Sequence, residues 1–177
     1  MAYEVDVHTH TLASGHAYST MKEMIEAAKE KGMKGLGITE HAPLMDGTCK
    51  EIYFRNLRVV PREIDGVRLL LGAECNVYDE EGHLDLSLST LKRLDVRIAS
   101  LHVNVYSPKQ HPDAMPAYRG IMKNPLVDII GHPDDGRYQY DYEELAYLAA
   151  QHNKIIEINQ ENVKPSLLLL DLNSAIE

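Results

Sequence analysis

The sequence predicts an α/β fold assembled from parallel βα units, and two observations predict it. Six short apolar segments recur along the chain, separated by stretches that are helical in pattern or long enough to hold a helix. The residues able to carry chemistry fall at or just past the ends of those segments, where a parallel sheet gathers its strand ends on one rim.

Tyr3–Val7 reads as the first strand. "STMKEMIEAAKEKGM" follows, with Ser19 as N-cap, with Met21, Met24, Ile25 and Ala28 at helical spacing, and with Gly32 as its end. "GLGIT" (35–39) is a buried strand whose small residues suit crowded backbones. Residues 50–65 are mixed in pattern and assign no element. "VRLLLGAEC" (67–75) is a third strand, apolar through its centre and charged near its end. "LDLSLSTLKRL" (84–94) reads as helical in its second half, and "DVRIASLH" (95–102) is the fourth strand. Pro112 and Pro116 mark a loop, and Ala117–Lys123 reads as helical. "LVDIIGHP" (126–133) is the fifth strand, "YEELAYLAAQHN" (142–153) a helix and "KIIEIN" (154–159) the sixth strand. The final "VKPSLLLLDLNSAIE" carries four consecutive leucines without strong caps and reads as a strand or a hydrophobic helix. With no internal repeat and no low-complexity linker, residues 1–177 are read as a single domain, a length that suits one core.

The net charge of −9 and pI near 5.4 lack the basic stripe of a nucleic-acid binder. They still permit a phosphorylated substrate if bound cations offset its charge. Asp6 and His8 interrupt any leader-like apolar stretch, and no run approaches the roughly 20 residues of a membrane span, so a cytoplasmic protein is expected. Cys49 and Cys75 are spaced like neither metal ligands nor a disulfide framework, which fits reduced thiols.

Nine histidines in 177 residues make their placement informative. His8 and His10 lie just past strand one, His16 in the loop beyond, and His41 past strand two. Glu74 closes strand three, His102 strand four and His132 strand five. On an extended segment, residues i and i+2 point the same way, so His8 and His10 can chelate as a pair while Thr9 turns away. Six imidazoles and a carboxylate at one rim have no packing rationale and point to divalent metal. Imidazole with carboxylate and no thiolate suits zinc foremost, then manganese or iron, in a catalytic rather than structural site. Seven candidate ligands exceed one ion. Glu74 is placed to bridge two, with His8 and His10 on one side and His102 and His132 on the other, while His16 and His41 hold a third. His83, His111 and His152 fall outside this pattern.

These residues lie in motifs that resemble the PHP (polymerase and histidinol phosphatase) family, especially its stand-alone YcdX-like phosphoesterases: "DVHTHT" (6–11), "ITEHAP" (38–43), "LLGAEC" (70–75), "ASLH" (99–102) and "IIGHPDDGRY" (129–138). The resemblance implies a distorted (β/α)7 barrel with a trinuclear metal centre, and the same seven ligands. It also implies an aspartate and a histidine from a D-x-H-like motif after a seventh strand. This sequence shows no such motif after His152, so the barrel is expected to be incomplete, with about six strands and the last βα unit missing. Strand edges left open in this way would favour self-association into a homo-oligomer.

The expected activity is metal-dependent hydrolysis of a small phosphate monoester by a metal-bridging hydroxide, with His10 and Glu74 at its centre. Arg137 is the candidate for direct phosphate contact, its alternative being a surface pair with Asp134 or Asp135. Glu40 and Asp6 are candidates for orienting imidazoles. Three other functions compete. One is an amidohydrolase cleaving C–N bonds, which would call for lysine where His102 stands. The others are a metal-binding remnant without catalysis and a polymerase-associated domain acting on nucleic acid.

Overall fold

The computed structural model describes residues 4–158. The chain runs β1 (Val5–Asp6), α1 (Met21–Glu30), β2 (Gly35–Ile38), α2 (Glu51–Asn56), β3 (Glu63–Ile64), β4 (Val67–Leu71), β5 (Ala73–Asn76), α3 (Leu88–Leu91), β6 (Arg97–Ser100), α4 (Met115–Lys123), β7 (Ile129–Ile130), α5 (Tyr142–Gln151) and β8 (Ile155–Ile156). The strands form two four-stranded sheets, ordered β1-β2-β4-β3 and β5-β6-β7-β8. Every neighbouring pair is parallel except β3–β4.

Each of the six apolar segments contains a strand, so the parallel α/β reading holds. The third segment, however, divides at Gly72. There the strand changes partners: Gly72 N–H donates to Ile38 O at 2.9 Å, and the next amide, of Ala73, donates to Val96 O at 3.2 Å. A Cβ at Gly72 would lie 2.2 Å from Val96 O, so the crossing admits only glycine. β3 arises in the stretch that assigned no element. Asp65 and Gly66 both have positive φ (53° and 82°), the geometry of a two-residue hairpin turn that joins β3 to β4.

Helix boundaries shift for identifiable reasons. The N-cap of α1 is Thr20, not Ser19: Thr20 Oγ1 accepts from Glu23 N–H, and the Glu23 carboxylate accepts from Thr20 N–H at 2.7 Å. The fourth helix starts at Met115, with Pro116 inside its first turn, where a missing N–H costs nothing. The missing last βα unit and the leucine-rich "VKPSLLLLDLNSAIE" concern residues outside the described ones.

The first sheet buries Leu36, Ile38, Leu69 and Leu71 against Ile25 and Ala28 of α1 and Phe54 of α2. The second buries Ala99 and Ile130 against Tyr118, Ile121 and Met122 of α4 and Leu145 and Ala149 of α5. Each such large side chain contributes about 1.5–3 kcal/mol. Val7, just past β1, and Leu70 of β4 pack against Val96 and against Ile98 of β6 and Ile129 of β7. A backbone seam joins the sheets where Glu74 N–H donates to Glu40 O (3.0 Å) and Ala42 N–H to Glu74 O (2.9 Å). That seam places His41 opposite Glu74.

Candidate metal centre

Glu74, in β5, is 1% exposed and stands at the centre of the imidazoles. Its Oε2 lies 3.2 Å from His8 Nε2, 3.3 Å from His10 Nε2 and 2.7 Å from His41 Nδ1. Its Oε1 lies 3.1 Å from His102 Nε2 and 2.9 Å from His132 Nε2. His16 lies beside the group, its ring tilted and centred 5.1 Å from His10 and 4.7 Å from His41. All seven candidate ligands, six from strand ends and His16 from the loop after the first strand, are therefore brought together. Thr9 turns away from the imidazoles as expected, and its buried hydroxyl donates to Gly37 O at 2.5 Å.

Backing groups fix how the rings face. His8 Nδ1 lies 2.9 Å from a carboxylate oxygen of Glu157, which can only accept, so Nδ1 carries the proton and Nε2 faces Glu74. The Ser14 hydroxyl gives its one proton to Glu40 Oε2 at 2.5 Å and must therefore accept from His10 Nδ1 at 3.0 Å. It also accepts His41 N–H at 3.0 Å. Glu40, fully buried, takes further bonds from Thr11 N–H and from the Thr11 and Tyr53 hydroxyls. Glu40 thus orients an imidazole through Ser14. Asp6 accepts the backbone N–H of His8 at 3.2 Å, and among the described residues it makes no hydrogen bond to an imidazole.

His132 sits at φ 28°, ψ 53°, a left-handed conformation rare for a side-chain-bearing residue. Its N–H donates to Glu157 Oε2 at 3.1 Å, which helps hold it there. Arg137 stands outside the cluster. Its side chain is half exposed, and Nε lies 3.4 Å from Asp135 Oδ2, the surface pairing named as its alternative. His83 and His111 pair with Asp79 and Glu80 instead, away from Glu74. Sequence reasoning missed Ser14, Asn76 and Glu157. Glu157 had a signal, since it follows β8 as His102 and His132 follow their strands.

Burial opposes charge on Glu74, but contacts with His10, His102, His132 and His41 hold its carboxyl well below the usual range. For His8, burial likewise opposes the charge, yet Glu157 and Glu74 push it up to about 10. Burial lowers His41, against the pull of Glu74, and like charge on His10 and His102 lowers it further. Protons alone serve such a cluster poorly. Neighbouring ring centroids lie 4.4–6.0 Å apart, and two charged imidazoles at about 5 Å repel by about 3 kcal/mol at an effective dielectric of about 20. His8 Nε2, His41 Nδ1 and Glu74 Oε2 are buried and in contact, yet have no hydrogen-bond geometry. Lone pairs directed at a carboxylate in this way fit a cation between them. Within this cluster, the groups able to hold one are His8, His10 and Glu74; His41, Glu74 and His102; and His10, His16 and His41.

A family model described as PHP domain matches residues 6–174. A probable phosphatase of Caldicellulosiruptor saccharolyticus is 49% identical over 159 residues, 90% of this chain and 66% of that protein. A probable phosphatase of Clostridium novyi is 46% identical, over 94% of this chain and 68% of that protein. The chain thus spans about two thirds of the length of the curated relatives it matches. Among solved structures, the histidinol phosphate phosphatase of Lactococcus lactis, complexed with zinc, L-histidinol and phosphate, superposes with a TM-score of 0.55. That likeness covers 88% of this chain and 73% of the other at 18% identity, and it shows a shared α/β fold.

Proposed function

The chain belongs to the PHP domain family, and from that premise we propose that it is a metal-dependent phosphoesterase hydrolysing small phosphate monoesters. One observation carries the reading: five imidazole nitrogens lie within 3.3 Å of the two oxygens of one buried carboxylate, Glu74. The names of the relatives and the phosphate in the Lactococcus complex agree with it.

His8, His10, Glu74, His102 and His132 are assigned to a pair of divalent ions, and His16 with His41 to a third, zinc being the first candidate. Such ions supply Lewis acidity toward phosphoryl oxygens and a nucleophile available near neutral pH. The protein's own part is to keep Glu74 ionised, to aim the imidazole lone pairs at it, and to exclude water from its buried side. His16, exposed, stands where the centre meets solvent. Arg137, on the turn after His132, is assigned to the phosphate, which would compete with Asp135 for the guanidinium. No helix among the described residues is long and apolar enough to cross a membrane. Cytoplasmic location and self-association along the outer strands β1 and β8, where Val5 and Ile155 are exposed, belong to the same reading.

The test is hydrolysis of p-nitrophenyl phosphate with added Zn²⁺ or Mn²⁺, beside His10→Ala and Glu74→Ala. Turnover by the unmodified chain alone supports the proposal. Bound metal without turnover would leave a metal-binding protein that is not an esterase, and neither metal nor turnover would remove the centre itself.

A further inference from the structure

Behind His102 lies a second buried chain of polar groups whose proton positions are decided by their partners. Asn76 closes β5, two residues from Glu74, and is fully buried. Its Nδ2 donates to Ala42 O at 3.0 Å and to Asp85 Oδ2 at 2.7 Å. A peptide carbonyl and a carboxylate only accept, so both amide protons are committed and the amide cannot be turned over. Asp85 is itself fixed, accepting the backbone N–H of Asn76 and of Leu44, each at 2.8 Å. Asn76 Oδ1 is therefore the atom 2.7 Å from His102 Nδ1. A carbonyl oxygen there requires the proton on Nδ1, which leaves the lone pair on Nε2, 3.1 Å from Glu74 Oε1.

We infer that Asn76, held by Asp85, is a positioning residue that fixes the tautomer of His102 and so presents Nε2 to a metal shared with Glu74. This rests on the metal-holding reading of Glu74 and His102 above. The physical logic is that of a ligand imidazole whose far nitrogen is hydrogen-bonded. Ring orientation and lone-pair direction are set before metal arrives, and loss of such a backing group costs about 10–100-fold in metal affinity.

The unmodified chain provides the first test. In zinc-loaded, ¹⁵N-histidine-labelled protein, the His102 resonances are assigned by their loss in His102→Gln. The inference expects a proton on Nδ1 and zinc on Nε2. A proton on Nε2, or zinc on Nδ1, overturns it, as does failure of the chain to bind zinc. The second test is zinc affinity by competition with a chromophoric chelator. Asn76→Leu keeps the volume but removes the acceptor, and should weaken zinc about 10–100-fold. Asp85→Asn removes one of the two acceptors that fix the Asn76 amide and leaves Ala42 O in place, so it should weaken zinc less than Asn76→Leu does. Asn76→Asp keeps an acceptor toward His102, one proton being shared with Asp85, and should hold affinity far closer to the unmodified value. Equal affinity in all four proteins would overturn the inference. Zinc binding through Nε2 without phosphate-ester turnover would sink the esterase reading and leave this one standing. Turnover with zinc on Nδ1 would do the reverse.

Discussion

Removing the Glu40 carboxylate should damage the protein far more than neutralising it. Glu40 is fully buried and accepts from Thr11 N–H at 3.0 Å, Ser14 Oγ at 2.5 Å, Thr11 Oγ1 at 2.5 Å and Tyr53 OH at 3.3 Å. In Glu40→Ala three close donors lose their acceptor in a dry place. At about 1–2 kcal/mol for each donor left unpaired, the loss is about 3–6 kcal/mol, a large share of the roughly 5–15 kcal/mol that holds a domain folded. In Glu40→Gln the amide oxygen can keep Thr11 N–H and Ser14. The amide nitrogen then faces two hydroxyls, Thr11 and Tyr53, which can rotate to accept. That variant gives up only charge assistance, about 1–2 kcal/mol. The assay is urea unfolding near neutral pH with EDTA present, so that metal binding does not contribute. Because Ser14 still accepts from His10 in the Gln variant, its zinc affinity should also survive. Ala and Gln variants that unfold within about 0.5 kcal/mol of each other would refute the hydrogen-bond accounting on which the reading of Ser14 and His10 depends.

Three further outcomes are expected. Glu74→Gln should lower zinc affinity, read by chelator competition, by more than about 100-fold, beyond the 10–100-fold typical of groups that only back a ligand. Arg137→Ala should raise KM for a phosphate ester about tenfold or more with kcat little changed if the guanidinium binds substrate, whereas a guanidinium serving only Asp135 would leave both constants alone. Gly37→Ala places a Cβ 2.5 Å from Val7 O, so β1 and β2 must separate; urea unfolding should show a loss of about 1–3 kcal/mol, and zinc uptake should fall with it because His8 and His10 follow β1.

The imidazoles were legible because their position is periodic with the fold. A residue at or just past a parallel strand end faces one rim whatever the intervening helix does, and His8, His10, His41, His102 and His132 obey that rule. Asn76 and Glu157 obey it too, but the rule does not say which ring each one backs. Asn76 and Ser14 matter through hydrogen bonds spanning 26 and 27 positions, to His102 and to the His41 amide, and Glu157 through one spanning 149. No spacing rule encodes such pairs. Asn76 reads in sequence as an ordinary polar residue closing a strand. Two other features carry local signals in the sequence. Thr20 with Glu23 forms the T-x-x-E capping box that Ser19 lacks, and Asp65–Gly66 is the dipeptide of a two-residue hairpin. The partition into two sheets at Gly72 was hidden because an apolar run looks the same whether its strand keeps or changes neighbours.

The backing groups also tie the centre to the fold. Backbone pairing within the two sheets leaves β1 and β8 as outer strands, and Glu157 spans the interval between the segments that follow them: one carboxylate oxygen takes the His8 ring at 2.9 Å and the His132 amide at 3.1 Å. Glu40 links the loop after β1 to the end of β2 in the same way, and Asp85 fastens Leu44 and Asn76 across the seam between the sheets. The hydrogen bonds that aim the imidazoles are therefore the ones that hold neighbouring strand ends in register. Metal taken up by the aimed imidazoles stabilises the folded chain by mass action, while loosening of the strand ends releases the aim. Under the proposed phosphoesterase reading, loss of turnover in a variant of this rim would have two physical origins, displaced chemistry and loosened strands. Asn76→Leu and Glu40→Gln separate them, because the first should weaken zinc through His102 beyond the stability it loses at Ala42 O and Asp85, while the second should cost stability and leave Ser14 and His10 as they are.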